Sequence, residues 1–469
     1  MVGAPAGSTP QRSLRNRVGP INKWPLPSDP LRIALLLFTI LSVSQVHQHF
    51  GILTLIHPAK LLFLFAVGWA VLNSRAIELR QVLSTWPARI VIGIAIVACL
   101  SVPFGISMGR AGLFVLENYS KTVIYFLLLL AVIRTTRDLH AFVWAYVISA
   151  GTLAWMAFFV FTPTSSGDIA RLGDLYSYDS NDLGCVLIVA LPLSVLTYVS
   201  SGAKGKVASA IILLASAGTI ARTGSRGAFL GFLGVGLALL LLMGQISLVK
   251  RLSVVTLALV ALTLAAPAGY WRQMQTLTTP REDYNWRTLD GRRQTAVRGI
   301  NYMLRYPVFG IGINNFPMAE GTISPKAIEH IRGTGLRWTA AHNSYVQAGA
   351  ELGVPGLLLW SALVWGGPIA MFRMRRRLPR PWARGTLEER FLYNAPAYVA
   401  VALIGFAITS FFVSFAYLEP IYLLAAYMAG LYSSVRGKRG TGLAAAVAPP
   451  ASRRSKALAG RSLSALNTP

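Results

Sequence analysis

From Leu31 to Val435 the chain repeats one theme: apolar runs of roughly 20 residues, the length a helix needs to cross hydrocarbon, parted by polar stretches. A bilayer offers no water to the backbone, so such runs must satisfy their own N–H and C=O groups as helices or as a closed barrel. Read as helices, they number twelve, centred near Leu37, Phe65, Ala95, Leu127, Ile148, Ala190, Leu213, Gly234, Leu259, Leu359, Phe406 and Leu424. The expected fold is therefore an all-α polytopic membrane protein with about 12 spans. One continuous membrane domain over 31–435 is expected, with no internal repeat.

Composition agrees, with 54% hydrophobic residues, 13% charged residues and a mean hydropathy of +0.53. The net charge of +27 could point to nucleic acid, but Lys and Arg sit in short loops and form no single face, so no nucleic-acid partner is expected. With the N-terminus cytoplasmic, the inner segments are QRSLRNR, SRAIELRQ, RTTRD, GAKGK, LVKR, FRMRRRLPRPWARG and SVRGKRG, all basic, as the positive-inside rule requires. An even number of spans returns the C-terminus to the cytoplasm. There 436–469 reads as a disordered basic tail able to touch anionic membrane lipid. Residues 1–30 read as a cytoplasmic, proline-rich basic tail without a cleavable signal, so the first helix is expected to stay attached. Cys99 and Cys185 both lie in apolar runs, exclude a disulfide or zinc framework, and read as inert core residues.

One connection, about 271–341, is too polar to span and too long for an ordinary loop, so it is expected to be a large outer segment with structure of its own. It holds Arg272, Arg281, Arg287, Arg292, Arg293, Arg298, Arg305, Arg332 and Arg337 against Glu282, Asp283, Asp290, Glu320 and Glu329. Topology does not demand that excess, which suggests an anionic ligand.

Three polar marks fall on this outer side. In TIARTGSRGAFLGFLGVG, Arg226 stands at the start of an apolar helix, with Ser225 as its cap and Gly224 and Gly227 allowing a tight turn. A guanidinium beside helix-start amides suits a phosphate, although a snorkelling interfacial arginine has the same sequence signature. In GRRQTAVRGINYMLRYPVFGIGINNF, Thr295 to Leu304 suit a short amphipathic lid helix stopped by Pro307, with Arg292 at its entrance. Such an arginine can clamp a phosphate bidentately or simply lie on a solvated face. In AHNSYVQAGAELGVPGLLLW, Ala341 to Glu351 read as the outer end of a helix, with His342 and Tyr345 a turn apart and Asn343, Gln347 and Glu351 forming a second stripe. Gly349, Gly353 and Gly356 are expected to thin this helix for close packing. A histidine there can take a proton from a hydroxyl near neutral pH. DIARLGD and DSND carry acids, but their spacing is weak evidence for a cation site. GIGINNF lacks the βαβ context of a nucleotide loop.

GSRGAFLGF, RYPVFGIGINNF, HNSYVQAGAELGVPGLL and LYSYDSNDLG together resemble the O-antigen ligase and polymerase superfamily of bacterial envelope polysaccharide enzymes, over most of 165–365. That resemblance implies a glycosyltransferase similar to the C-type enzymes, multi-pass in the bacterial inner membrane, with its active site periplasmic. It implies an undecaprenyl-diphosphate-linked glycan donor, lipid A-core or another glycan as acceptor, and neither nucleotide nor metal as cofactor. Carried onto this chain, the helix-entry arginine is Arg226, the loop arginine Arg292 and the histidine the catalytic His342, with Asn343 and Tyr345 as supporting residues. Arg293 or Arg287 can replace Arg292, because the tryptophan that often follows the loop arginine by four positions is Ala296 here.

A polymerase of the same superfamily differs only in acceptor. A solute transporter would show broken helices and midplane ionisable residues, which the sequence does not suggest. A non-catalytic partner that only binds lipid-linked glycan is the third alternative.

Overall fold

The computed structural model describes residues 29–73, 83–166, 169–173, 175–243, 246–279, 281, 288, 291–329 and 338–447; the side chains of 163–170, 329 and 439–447 fall outside that description. The main elements are α1 (Pro30–Ser44), α2 (Gly51–Leu72, interrupted at His57), α3 (Trp86–Phe104), α4 (Met108–Val132), α5 (Thr136–Phe159), strands β1 (Pro163–Ser166) and β2 (Ile169–Leu172), α6 (Ser180–Ser200), α7 (Ala203–Arg222), α8 (Arg226–Leu242) and α9 (Leu248–Ala265). After these come α10 (Tyr270–Gln275), α11 (Arg292–Arg305), α12 (Phe316–Thr322), α13 (Pro325–Glu329), α14 (Ser344–Arg376), α15 (Leu387–Thr409) and α16 (Glu419–Val447).

All twelve apolar centres fall in helices. Among the described residues nine helices are long and apolar enough to cross a membrane: α2 to α7, α9, α14 and α15. Of the other three, α1 and α8 are shorter apolar helices, and α16 is outside the nine. Among the described residues the only strands are those of the antiparallel hairpin β1–β2, a departure from the all-helical expectation. The stretch read as a tail from 436 begins as helix, since α16 runs to Val447.

Burial sorts the helices. In α6, 89% of the apolar window is buried and in α15, 78%, whereas α2 and α9 reach only 11%. The first pair is thus the centre of the bundle and the second its lipid-facing margin, where Leu55, Leu72 and Leu264 stand open. Helices pack here without a hydrophobic driving force between them, so small residues set the approach. A Cβ on Gly231 of α8 would stand 2.5 Å from Thr409 Cγ2 of α15. Cys185 is buried in that seam, accepting from the Thr409 hydroxyl at 3.0 Å, whereas Cys99 is exposed and not a core residue.

The bundle has two chemically different ends. At one, Arg32 pairs with Asp138 at 3.1 Å, and Glu388 takes both Arg137 at 3.1 Å and Lys438 at 3.6 Å. Thr135–Asp138 and Thr386–Glu389 capping boxes start α5 and α15 there. The other end carries the hairpin, the starts of α6, α8 and α14, and α10 to α13.

Gly353 serves close packing as expected, since a Cβ there would stand 2.5 Å from Pro307 O, but it also breaks α14, with φ 68° and ψ −168°, so the chain does contain a broken helix. The glycine-rich loop before α12 fills the break. Ile311 N–H donates to Ala350 O, Gly312 N–H to Glu351 O, and Val354 N–H to Pro307 O, at 2.8 to 3.1 Å. A half-helix end would otherwise leave those groups orphaned in a buried place. The GIG turn thus serves a structural end. It is pinned from the other side by Ser101 Oγ, which accepts from Ile313 N, and by Arg110, whose Nε donates to Asn314 O at 2.8 Å.

The helix expected over Thr295–Leu304 is α11, but it is no loose cover. Its Tyr302 joins a small second core with Ile311, Phe316, Ala319, Ala341 and Ala350. Arg298, counted among the arginines free for a ligand, is instead buried on Glu320: Nε lies 2.8 Å from Oε1 and Nη2 2.6 Å from Oε2. Lys326 Nζ lies 3.3 Å from the same carboxylate, and Tyr302 and Thr339 hydroxyls donate to it at 3.0 and 3.2 Å. Burial and the neighbouring Glu320 charge hold the Tyr302 phenol well above its ordinary range, so it stays a neutral donor.

Candidate functional site

The site end is assembled around the first turn of α6. Asp179 caps that helix, accepting from Asn181 N and Asp182 N at 2.6 and 2.8 Å, while Asp182 Oδ2 accepts from Asp179 N. This reciprocal box uses the acids of DSND as helix caps. Asn181 then reaches across to α8: its Oδ1 accepts from Ser225 Oγ at 2.8 Å. Ser225 is the cap of α8, accepting from Ala228 N at 3.2 Å, and Gly224 before it takes the left-handed backbone a tight reversal needs. Gly227 has another use than the turn expected of it, lying flat against Phe412.

Arg226 is therefore the first residue of α8, half-buried, its Nη1 donating to Thr276 Oγ1 at 2.7 Å. Its position places a guanidinium beside helix-start amides, the combination that favours anionic groups. Arg292, the first residue of α11, lies close enough to Asp182 for its charge to act on that carboxylate. Arg293 is exposed. Arg287 lies outside the described residues. Of the two described candidates, Arg292 is the one whose charge reaches the start of α6.

His342 is not on a helix. It sits just before α14 in the left-handed region, φ 45°, with its backbone N–H donating to Ser414 Oγ at 2.9 Å. Ser344 fixes the same turn from both sides, donating to Val413 O and accepting from Phe415 N, and Gln347 accepts from Ala416 N. Positive φ on a non-glycine residue is held only where surroundings over-determine it, and here four hydrogen bonds do so. The imidazole is half-buried. The 410–416 turn that seats it also carries Phe412, the ring against Gly227 beside Arg226. The turn that bonds His342 N–H thus also reaches, through Phe412, the Gly227 that follows Arg226, while Ser225 bonds Asn181, whose neighbour Asp182 feels the Arg292 charge.

The supporting residues have structural work. Asn343 Oδ1 caps α14, accepting from Tyr345 N and Val346 N at 3.0 and 3.1 Å. Tyr345 turns into the bundle, stacked 4.4 Å from Phe411, its hydroxyl donating to Ala407 O. Glu351 is buried at the helix break, its Oε1 accepting from Phe316 N at 3.0 Å to start α12. The stripe Asn343, Gln347, Glu351 is therefore three backbone anchors in a row. Burial, and then the charge of Glu351 beside it, keep the Tyr417 phenol far above its usual range.

Sequence reasoning missed Arg171 and Gln273. Arg171, on β2, lies over Gly224, its Nε 3.5 Å from where a Cβ would stand, and Gln273 Oε1 approaches the same point at 3.3 Å. DIARLGD drew attention only for its acids. The signal available was one more arginine in an outer loop, and only the fold brings it to the α8 turn.

Residues 211–361 match the O-antigen ligase family model. This stretch is an O-antigen ligase family domain. It contains Arg226, Arg292 and His342, whereas Asn181 and Asp182, which link the two arginines, lie before it. The family consists of ligase- and polymerase-type membrane enzymes of polysaccharide biosynthesis that act on lipid-linked glycans. No curated protein matches the chain.

Proposed function

We propose that the chain transfers a glycan from undecaprenyl diphosphate to a sugar hydroxyl at the periplasmic face of the bacterial inner membrane, most specifically onto lipid A-core as an O-antigen ligase. The observation that carries this reading is the gathering of Arg226, Arg292 and the His342 turn at one end of the bundle, through Asn181–Asp182 and Phe412. The opposite, basic end would face the cytoplasm under the positive-inside rule, placing both termini there. That arrangement has α1, α8 and α16 completing twelve crossings. At about 1.5 Å per residue a 15-residue helix falls short of the hydrocarbon thickness, so α1 would need help from its polar flanks or local thinning.

In the proposed reaction the acceptor oxygen attacks the anomeric carbon as the bond from that carbon to the diphosphate oxygen breaks, inverting the centre. The acceptor's proton passes to the His342 imidazole, and the electron pair leaves on the diphosphate, whose growing charge Arg226 and Arg292 offset. No metal or nucleotide enters the scheme. Purified protein, lipid-linked glycan and lipid A-core should yield a new covalent glycolipid. His342→Ala should lose that product while keeping its level in the membrane, and near-normal transfer by that variant would remove the base from the scheme. Replacing Arg226 should cost about 100- to 1000-fold, the usual loss on removing one preorganised charge stabiliser.

The polymerase reading shares every residue named and differs in acceptor. A deletion strain that accumulates long glycan on its lipid carrier supports the ligase; one that accumulates single repeats supports the polymerase. Transport gains little from the broken α14, because its freed ends are bonded to the 307–312 loop and leave no half-helix terminus open to a solute.

A further inference from the structure

Far from the site, the basic end of the bundle holds a cavity of about 680 Å³ between the start of α3, the last three turns of α14 and the later half of α16. Its depth is apolar: Gly366 and Ala370, one helical turn apart on α14, leave a channel along which the Trp86 ring forms a side. Its mouth is cationic, with Arg373 in the last turn of α14, Arg377 at that helix's C-cap and Arg436 on α16. Among the described residues that line it none is acidic. Of the described acids at that end, Asp138 pairs with Arg32, Glu388 with Arg137 and Lys438, and Glu389 closes the Thr386 capping box. Trp86 Nε1 donates to the Tyr432 hydroxyl at 3.1 Å, fixing the two rings against each other beside the groove.

The dimensions suit a lipid rather than a free ion. From Gly366 to Arg377 the helix rises about 16 Å, close to the depth of one leaflet's hydrocarbon. A free phosphate would use the arginines and leave the apolar channel unexplained; a zwitterionic lipid would use the channel and gain little from three guanidinium groups. Basic pockets between membrane helices are a recurring form of anionic headgroup recognition. We propose that this groove binds one anionic diacyl phospholipid, its phosphodiester on Arg373, Arg377 and Arg436 and one acyl chain along Gly366 and Ala370. The proposal is separate from glycan transfer and from the direction in which the chain is inserted.

Trp86 supplies the readout. Full-length protein is placed in nanodiscs of phosphatidylcholine containing a fixed fraction of lipid brominated on its acyl chains, carried by either phosphatidylglycerol or phosphatidylcholine. The Trp86 contribution is the difference between wild type and Trp86→Phe. Brominated phosphatidylglycerol should quench it at about tenfold lower mole fraction than brominated phosphatidylcholine, since each basic residue near a headgroup favours anionic lipid severalfold. Replacing all three arginines by glutamine should abolish the headgroup preference, and Gly366→Leu should weaken quenching by both lipids by filling the channel. Equal quenching by the two headgroups in the wild type, a comparison that needs no arginine variant to fold, would reduce the groove to ordinary lipid contact and overturn the proposal. Preference that survives the triple substitution would overturn it too. So would loss of the phosphatidylglycerol advantage on adding millimolar inorganic phosphate, which would assign the arginines to a free anion.

Discussion

The Glu320 carboxylate offers the sharpest test of how the outer segment holds its shape. It is fully buried and faces two cations, Arg298 through a two-pronged contact and Lys326 at 3.3 Å, both nearly buried themselves. Removing one side of a buried ion pair leaves uncompensated charge and typically costs about 3–5 kcal/mol. Glu320→Ala leaves two such charges, so the upper part of that range is expected. Arg298→Met is the control: it leaves Glu320 balanced by Lys326 and still accepting from Tyr302 and Thr339, so about 1–3 kcal/mol is expected. The assay is hydrogen exchange of backbone amides in α11 to α13, because this small second core can open without the helical bundle. Glu320→Ala should speed exchange there by roughly three to three and a half orders of magnitude, at about 1.4 kcal/mol per tenfold, with α6 and α15 unaffected. Glycan transfer should fall in step, since α11 begins at Arg292. Unchanged exchange, or a larger effect from Arg298→Met than from Glu320→Ala, would refute the view that the carboxylate anchors the cluster.

Two further substitutions probe the joints of the site. Gly353→Ala asks for a Cβ 2.5 Å from Pro307 O on a backbone at φ 68°, so it should cost at least about 1–3 kcal/mol in strain and lower the melting temperature and transfer together; a neutral outcome in a thermal melt would show that the break is not a fixed feature. Ser225→Ala removes both the α8 cap and the donor to Asn181, which should cost about 1 kcal/mol in stability and lower transfer with membrane levels preserved, as measured by titrating purified variant with donor; full activity would uncouple Arg226 from the start of α6.

Much of the site's local chemistry is written in short stretches. Ser225 before Arg226, Asp179 with Asp182, and Asn343 before Ser344 are capping residues whose side chains bond to backbone within three positions, so local sequence is enough to find them. His342 illustrates the limit. Its neighbours suggested a helical face shared with Tyr345, yet a turn 70 residues later in the chain holds it in a left-handed conformation off the helix. Arg298 and Arg292 look alike in GRRQTAVRG, six positions apart on one helix. Which of them is consumed by a carboxylate depends on Glu320, 22 residues further on, and on the core that buries it.

What the sequence by itself determined is the membrane class and the helices, because hydrocarbon leaves the backbone no alternative and apolar length is a property of consecutive residues. It also marked the arginines and the histidine, since charge and imidazole near lipid are rare enough to stand out. Packing of the whole chain was needed to decide that Gly353 breaks α14, that Glu351 anchors the start of α12, and that Arg226, Arg292 and the His342 turn lie at one end. Those outcomes depend on which distant groups arrive to satisfy a freed carbonyl or a buried charge, and no stretch of sequence carries that information until the helices have packed.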